Sequence, residues 1–398
     1  MEPTPTKIAI LTERANIALG GAERSVRELT DELNRQGIQT VLLTAAGTSD
    51  SSRIHVLCPS RKAKRTPLPL IETALQEHLK TNPCDLLHST LPVSVADIYQ
   101  PRGGSWRQAA IQNAQSYPDP FRRFFKRRFH FLNRRRTQYL LAEAKVLTAN
   151  PNLTVAALSN SVKQHFLRHI PISPDRIVVI PNGIRLPEPP PTQSVTDFRS
   201  RILRSAGLTP ADPAVLFLFA ANNFRLKGLF DLIHALPLAA RKSHLPLVLA
   251  VVGKDNPRQA RNLAWLAGIE QKIVFCGPLP DISAALAAAD AAVLPTWYDP
   301  SSRFILEALA MAKPVLTTSL NGAAEFIRRN RHGIVIAHPR CRQALADGLL
   351  ALTHPQTRTA FSQAILEDNL RSEVSITRHV RQLISLYKQI LTRKNKTQ

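Results

Sequence analysis

DAAVLPTWYDPSSRFILEALAMAKPVLTT, residues 290–318, decides the fold of this chain. The apolar run from Ala291 to Pro295 reads as a buried strand, the Pro/Ser loop behind it breaks regular structure, and a helix begins near Ser302. Pro314 to Thr317 then starts a second buried strand. Strand, loop, helix and strand make one step of a parallel α/β sheet.

The same alternation extends in both directions. Upstream lie apolar strands at Ala214–Ala220, Leu245–Val252 and Lys272–Cys276, and downstream one at Gly333–Ile336, with helical spacing between them. Near the start, KIAILT (Lys7–Thr12), a glycine-bearing loop, helical spacing over Gly21–Gln36 and a strand over Ile38–Thr44 form a βαβ unit, and Cys84–His88 is a further strand. The proline-rich RLPEPPPTQS after IPNGI (Ile180–Ile184) behaves as a semi-rigid linker. The expected architecture is α/β, two doubly wound Rossmann-like domains facing a cleft: residues 1–185, residues 186–372, and a C-terminal helix over 373–398 that packs back toward the N-terminal domain. Ligands in such sheets sit beyond the carboxyl ends of the strands.

At 398 residues the chain has ample length for two cores. Its 4 cysteines form no C-x-x-C pair, so neither a disulfide framework nor a zinc ribbon is indicated. No stretch has the roughly 18 to 20 apolar residues of a membrane span, and no cleavable signal is visible, so a cytoplasmic location is expected. The formal net charge of +23 calls for an anionic partner: nucleic acid, anionic lipid or a phosphorylated substrate.

Asp299 stands in the Pro/Ser loop and Glu307 follows eight positions later on the first turns of the helix, so both carboxylates can face one ligand. Loop amides and the helix N-terminus bring free N–H groups and positive dipole to the same place, which suits a pyrophosphate. Acidic residues near a helix start also serve as plain caps, and that alternative stands beside the first.

These residues resemble the E-x7-E signature of the retaining glycosyltransferases of family four, which have the GT-B fold, here as Asp299-x7-Glu307 followed by ALAMAKPVLTT. LGGAERSVRELTDELNRQGIQTVLLT, VVIPNGI and NNFRLKG extend the likeness over nearly the whole chain. Within the family, NNFRLKGLFDLIHAL and VVGKDNPRQ resemble the lipopolysaccharide core heptose glucosyltransferases of type I.

The resemblance implies that Glu307 accepts hydrogen bonds from the donor ribose and that Asp299 holds sugar hydroxyls, with a side chain one methylene shorter than the family's glutamate. It implies that Ser301, Ser302, Arg303 and Phe304 present backbone N–H groups to sugar or phosphate. Lys227 would neutralise the donor pyrophosphate; the family's upstream arginine is replaced by Asn222 and Asn223, and Arg225 is the candidate substitute. Gly20 and Gly21 would lie against the donor, and they do not form the G-x-G-x-x-G of a nicotinamide or flavin site. His88, ending its strand, would point into the cleft and touch the donor sugar, unless it merely caps the strand. Asp97 and Arg102 are acceptor-side candidates by position. No D-x-D pair occurs, so no metal and no other cofactor is expected, and cations with helix dipoles would carry the leaving diphosphate. The family's retaining reaction uses that phosphate to take the acceptor's proton.

The segment Phe121–Arg136 is basic and aromatic and contains no acid. Phe121, Phe124, Phe125, Arg128 and Leu132 follow helical spacing, while Arg122, Arg123, Lys126 and Arg127 crowd the other side. One reading is an interfacial helix on an anionic membrane; the alternative is a solvated helix whose phenylalanines pack on the N-terminal domain. Taken together, the expectation is a hexosyltransferase using a UDP-sugar such as UDP-glucose and a lipid-linked or lipopolysaccharide-type saccharide acceptor, peripheral on the inner face of the cytoplasmic membrane. Clustered arginines with interleaved aromatics also fit a nucleic-acid-binding protein, but no recognition motif accompanies them, so nucleic acid is not the expected partner. The shortened Asp299 and the missing arginine keep an inactive membrane-bound relative as a further alternative.

Overall fold

The computed structural model describes residues 4–14, 20–47, 54–59, 66–129 and 132–397. The chain forms two compact units, one comprising Met1–Ala114, Pro120–Arg185 and Ile376–Gln398, the other Gln115–Asp119 and Leu186–Ser375. The second unit thus takes a short piece from within residues 1–185, and the C-terminal return starts at Ile376 instead of residue 373.

The first unit is built on a seven-stranded sheet of β1 (Lys7–Thr12), β2 (Gln39–Thr44), β3 (Ile54–Val56), β4 (Leu86–Ser89), β5 (Ile98–Tyr99), β6 (Thr154–Ala157) and β7 (Ile177–Val179), in the order β3-β2-β1-β4-β5-β6-β7. Its strand pairs are parallel. The helices of this part of the chain are α1 (Gly21–Arg35), α2 (Leu68–Thr81), α3 (Trp106–Gln115), α4 (Pro120–Arg128), α5 (Arg134–Ala149) and α6 (Asn160–His169). β1 carries Ile8 and Ile10 to one face and Ala9 and Leu11 to the other, and each set enters a separate core cluster. That is the signature of a parallel strand buried on both sides.

The second unit has a six-stranded sheet of β8 (Val215–Ala220), β9 (Leu247–Val252), β10 (Ile273–Gly277), β11 (Ala291–Leu294), β12 (Val315–Thr318) and β13 (Gly333–Ile336), again parallel, in the order β10-β9-β8-β11-β12-β13. Around it lie α7 (Thr192–Ser205), α8 (Leu229–Ala240), α9 (Arg258–Leu266), α10 (Ser283–Ala288), α11 (Arg303–Ala310), α12 (Arg342–Ala351), α13 (Pro355–Glu367) and α14 (Leu370–Glu373). The linker reading holds only as far as Pro191, which N-caps α7; the residues TQS behind it are already helical. In each sheet the order reverses beside the first strand, between β1 and β4 and between β8 and β11, and at such a switch point the loops diverge to leave room for a ligand.

The last helix, α15 (Ile376–Thr397), belongs to the first unit. Ile376, Val380, Leu383, Tyr387 and Ile390 recur every three to four residues and pack in the same cluster as Val26, Leu29 and Leu33 of α1. Among the described residues no helix is long and apolar enough to cross a membrane.

One expected element is divided. The basic segment is not a single helix over 121–136: α4 stops at Arg128, and α5 opens afresh with Asn133 as its N-cap, its side chain accepting from Arg136 N at 3.0 Å. Residues 130 and 131 of that stretch lie outside the described residues.

Candidate active site

The switch point of the second sheet brings together the loop after β8 and the loop after β11. Gly228 is the reason they can touch. It N-caps α8 with φ +83°, and a Cβ there would meet the carbonyl oxygen of Pro295 at 1.9 Å. Its neighbour Lys227 is thereby set against the β11 loop, where Nζ donates to Asp299 Oδ2 at 2.6 Å and to the Tyr298 carbonyl at 3.0 Å. Both side chains are largely withdrawn from water, at 21% and 14% exposure. The Lys–Gly pair of the sequence therefore has a mechanical meaning: the glycine lets the loops close, and the lysine reaches the first acid.

Asp299 is itself fixed from several sides. Its N–H bonds Leu320 O at 3.2 Å, its carbonyl accepts from Gly322 N at 2.8 Å, and its Oδ1 accepts from Ser301 N at 3.2 Å. Buried Asn321 completes the loop: Oδ1 accepts from Ser302 N at 3.2 Å and Ala323 N at 3.1 Å, while Nδ2 donates to Thr317 Oγ1 at 3.0 Å. The expectation that the amides of Ser301 and Ser302 present themselves to a ligand is thus corrected, because Asp299 and Asn321 take them internally. Arg303 and Phe304 form the first turn of α11, whose N-cap Ser302 makes no side-chain capping bond. The Ser301 hydroxyl is buried and has no partner among the described residues, a polar group that a bound hydroxyl or phosphate would satisfy.

Glu307 lies on α11 one turn beyond Arg303, whose Nη2 stands 3.3 Å from Glu307 Oε1, with both side chains at most 12% exposed. Each acid of the Asp299-x7-Glu307 pair therefore has a cation at hand. Arg225 does not join them. Its guanidinium lies over the Tyr117 ring, 3.7 Å from the centroid, and Nη1 donates to Ser116 Oγ. Sequence reasoning missed these two partners because they come from the short Gln115–Asp119 piece of the unit, more than a hundred residues away. Trp297 was also missed: buried, it donates Nε1–H to Asp231 at 2.7 Å, and Arg340 lies over its ring at 4.7 Å.

In the first unit Gly20 N-caps α1 in an extended conformation and Gly21 is its first residue. His88 lies on β4 of the first unit, and its Nε2 has no hydrogen-bond partner among the described residues. It is fully buried, its Nδ1 is 2.7 Å from the Tyr387 hydroxyl of α15, and burial with the nearby Arg102 charge pushes its pKa down to about 3, so the ring is neutral. The expectation for Asp97 is corrected. It precedes β5, at the amino end of the sheet, where Oδ2 accepts from Leu87 N at 2.8 Å and Oδ1 pairs with Lys394 at 2.6 Å. Ligands approach the other end. Arg102, beyond the carboxyl end of β5, is at that end and donates Nη1–H to Asn182 of the IPNGI turn at 3.2 Å.

α4 has no buried residue. Arg122, Arg123, Phe124, Phe125, Lys126, Arg127 and Arg128 all lie on this short helix, and Phe121 and Phe124 are 75% and 63% exposed. The phenylalanines do not pack into the first unit's core; Phe125 and Phe129 stack on each other at 5.2 Å.

Two parallel sheets of Rossmann order, each flanked by helices, with a lysine–carboxylate pair at the second switch point, define a GT-B glycosyltransferase fold. The comparisons agree. Residues 19–188 match the model described as Glycosyltransferase Family 4 and residues 212–355 that of Glycosyl transferases group 1, and the chain belongs to this family of enzymes. It is 26% identical to the lipopolysaccharide glucosyltransferase WaaG of Escherichia coli over 290 residues, 73% of this chain and 74% of that one. It is 28% identical over 215 residues to a D-inositol 3-phosphate glycosyltransferase of Pseudarthrobacter chlorophenolicus, about half of each chain, at 52% and 49%. The crystal structure of WaaG superposes with a TM-score of 0.75 at 21% identity, covering 96% of this chain and 99% of that one. Anabaena Alr3699/HepE, solved with UDP and glucose, superposes at 0.70 with 17% identity, covering 96% and 100%.

Proposed function

We propose that this enzyme is a retaining hexosyltransferase that moves a hexose from a UDP-sugar, UDP-glucose first, to a lipid-linked or lipopolysaccharide-type saccharide at the inner face of the cytoplasmic membrane. The observation that carries the reading is the Lys227–Asp299 pair at the second switch point, with Arg303 and Glu307 on the adjoining helix. In the donor complex the Lys227 ammonium turns from Asp299 to the diphosphate, whose charge grows as the glycosidic bond breaks. Asp299, released, accepts from sugar hydroxyls, and Glu307 accepts from the ribose diol. The Ser301 hydroxyl and the first turn of α11 meet the phosphate or sugar oxygens. The departing phosphate takes the acceptor's proton, so the reaction proceeds without a dedicated protein base, and the Lys227 ammonium with the α11 N-terminus takes the place of a metal ion in meeting the diphosphate charge. WaaG, by its name a lipopolysaccharide glucosyltransferase, and the UDP-bound HepE structure support this choice of donor and acceptor class.

The membrane part rests on α4. Its exposed phenylalanines enter the headgroup region while its arginines meet lipid phosphates, each basic residue contributing roughly 1 kcal/mol on an anionic surface. Saturation-transfer spectra with UDP-glucose, UDP-galactose, UDP-N-acetylglucosamine and GDP-mannose test the donor assignment. Selective transfer to UDP-glucose is expected, and preferential transfer to GDP-mannose would overturn it.

A further inference from the structure

The piece Gln115–Asp119 belongs to the second unit, although the residues that enter and leave it, Ala114 and Pro120, belong to the first. Its contacts there fall on both sides of the Lys227–Asp299 pair. On the β8 side the centroid of the Tyr117 ring lies 3.7 Å from the Arg225 guanidinium, and Ser116 Oγ accepts from Arg225 Nη1. On the β11 side the contact runs through Arg340, in the loop after β13. Its Nη2 donates to the carbonyls of Gln115 at 2.7 Å and Tyr117 at 3.1 Å, while its guanidinium covers the Trp297 ring at 4.7 Å. Arg225 and Trp297 each stand two residues before a member of the pair.

The two loops are also stitched to each other at Leu226, the neighbour of Lys227: its carbonyl accepts from Trp297 N at 2.9 Å and from Thr296 Oγ1 at 3.2 Å. A guanidinium laid on an aromatic face is held in one orientation, and at Arg225 the Tyr117 ring and the Ser116 hydroxyl act together. Arg340 fixes the backbone of the same piece at two carbonyls. Gln115–Asp119 thus has two arginine anchors, one beside each loop of the pair. The piece is stiff as well. Tyr117 and Asp119 precede Pro118 and Pro120, and a following proline restricts each of them to extended backbone. Pro120 is the first residue of α4, so only a short, proline-stiffened link separates that helix from the ring that bears on Arg225.

We propose that Tyr117 is a positioning residue for the Lys227–Asp299 pair, acting through Arg225, and that α4 acts on the donor site through it when the helix meets an anionic membrane. The positioning role stands on contacts within the second unit; the route from α4 rests on the membrane reading given above. Arg225 is then the mount of the Lys227 loop, and membrane contact at α4 steadies that mount. The effect falls on turnover more than on donor binding. Lys227 meets charge that develops only as the glycosidic bond breaks, and a misplacement of about 1 Å in such a group costs about 10²-fold.

The test is hydrogen exchange at the amides of Leu226, Lys227 and Gly228. They are bonded within the loop to Asn223 Oδ1 at 3.1 Å, Asn223 O at 2.9 Å and Arg225 O at 3.1 Å, so they read its opening without any assay of activity. Tyr117→Ala should speed their exchange about threefold to thirtyfold, the range of one cation–π contact, and Tyr117→Phe, which keeps the ring, should restore wild-type exchange. With UDP-glucose as donor, Tyr117→Ala should lower kcat about tenfold and shift KM less than about threefold, and Tyr117→Phe should restore kcat. Phosphatidylglycerol vesicles should slow exchange of these amides in the wild type and leave it unchanged in Tyr117→Ala, while both proteins co-sediment with the vesicles. Wild-type exchange in Tyr117→Ala overturns the positioning role. So does equal loss in Tyr117→Phe and Tyr117→Ala, because the ring face is what bears on Arg225. Slowing by vesicles to the same extent in Tyr117→Ala as in the wild type overturns the route from α4. A wild type that does not sediment with the vesicles defeats the membrane reading and that route together, and absence of turnover beside the expected exchange results defeats the donor reading alone.

Discussion

Lys227→Ala separates chemistry from folding. In the free enzyme Lys227 pairs with Asp299 at 2.6 Å, and at 21% and 14% exposure the pair lies between a surface bridge and a buried one. An exposed pair is worth about 0–1 kcal/mol, whereas stranding one member of a fully buried pair costs about 3–5 kcal/mol. Here water reaches both partners and Asp299 keeps its bond from Ser301 N, so a cost of about 1–2 kcal/mol follows. For a unit of this size that lowers Tm by about 2–8 °C and leaves the protein folded at 25 °C. The catalytic cost is larger. In the proposed reaction the ammonium meets the leaving diphosphate as it gains charge, and removing one such preorganised group costs about 2.7–4 kcal/mol, or 10²–10³ in kcat. Calorimetric melting and initial rates on the same preparation measure both. A variant that melts as predicted but retains more than about a third of wild-type kcat refutes the role given to Lys227.

Glu307→Gln should weaken UDP by about 1–3 kcal/mol in titration calorimetry, since an amide has one acceptor fewer for the ribose diol and no charge; unchanged affinity removes Glu307 from the site. Glu143, buried on α5 and bonded to Tyr99 Oη at 2.8 Å and Trp106 N at 3.0 Å, has its carboxyl pushed up to about 8 by burial, against an ordinary value of 4.5. Between those values the folded chain keeps a proton that the unfolded chain has lost, so this group's contribution is full below pH 4.5 and declines as pH rises toward 8. The urea midpoint of wild type should fall across that window and that of Glu143→Gln, a mimic of the neutral acid, should fall less; parallel profiles refute it. Replacing Arg122, Arg123, Arg127 and Arg128 together with glutamine should abolish co-sedimentation with anionic vesicles and leave UDP affinity intact, whereas a variant that still sediments removes α4 from the membrane contact.

Much of the fold was legible because buried parallel strands are continuous apolar runs, and in the second unit every strand lies within a residue or two of its reading. β5 escaped notice because it has only two residues, Ile98 and Tyr99, too few for any periodicity. The Asp299, Glu307 and Lys227 positions were readable since loop and helix place them locally. Asp97 was misjudged for the same reason that β5 was missed: without the strand, nothing tells its amino end from its carboxyl end. The partners of His88 and Arg225, Tyr387 and Tyr117, were not legible because they lie far off in sequence, and no local pattern announces a ring that will cover a histidine or stack on an arginine. The break between α4 and α5 was marked by Asn133, a good N-cap inside a run of arginines whose charge pattern drew the eye instead.

The central claim, sugar transfer from a UDP-donor, is tested most directly by measuring UDP release from UDP-glucose with and without a lipid-linked core saccharide, in the presence of EDTA. The account predicts slow release alone, a large acceleration by the acceptor that EDTA does not suppress, and formation of the glucosylated lipid. Acceptor-independent release with no glucosylated product, or no release from any UDP-sugar, would contradict it.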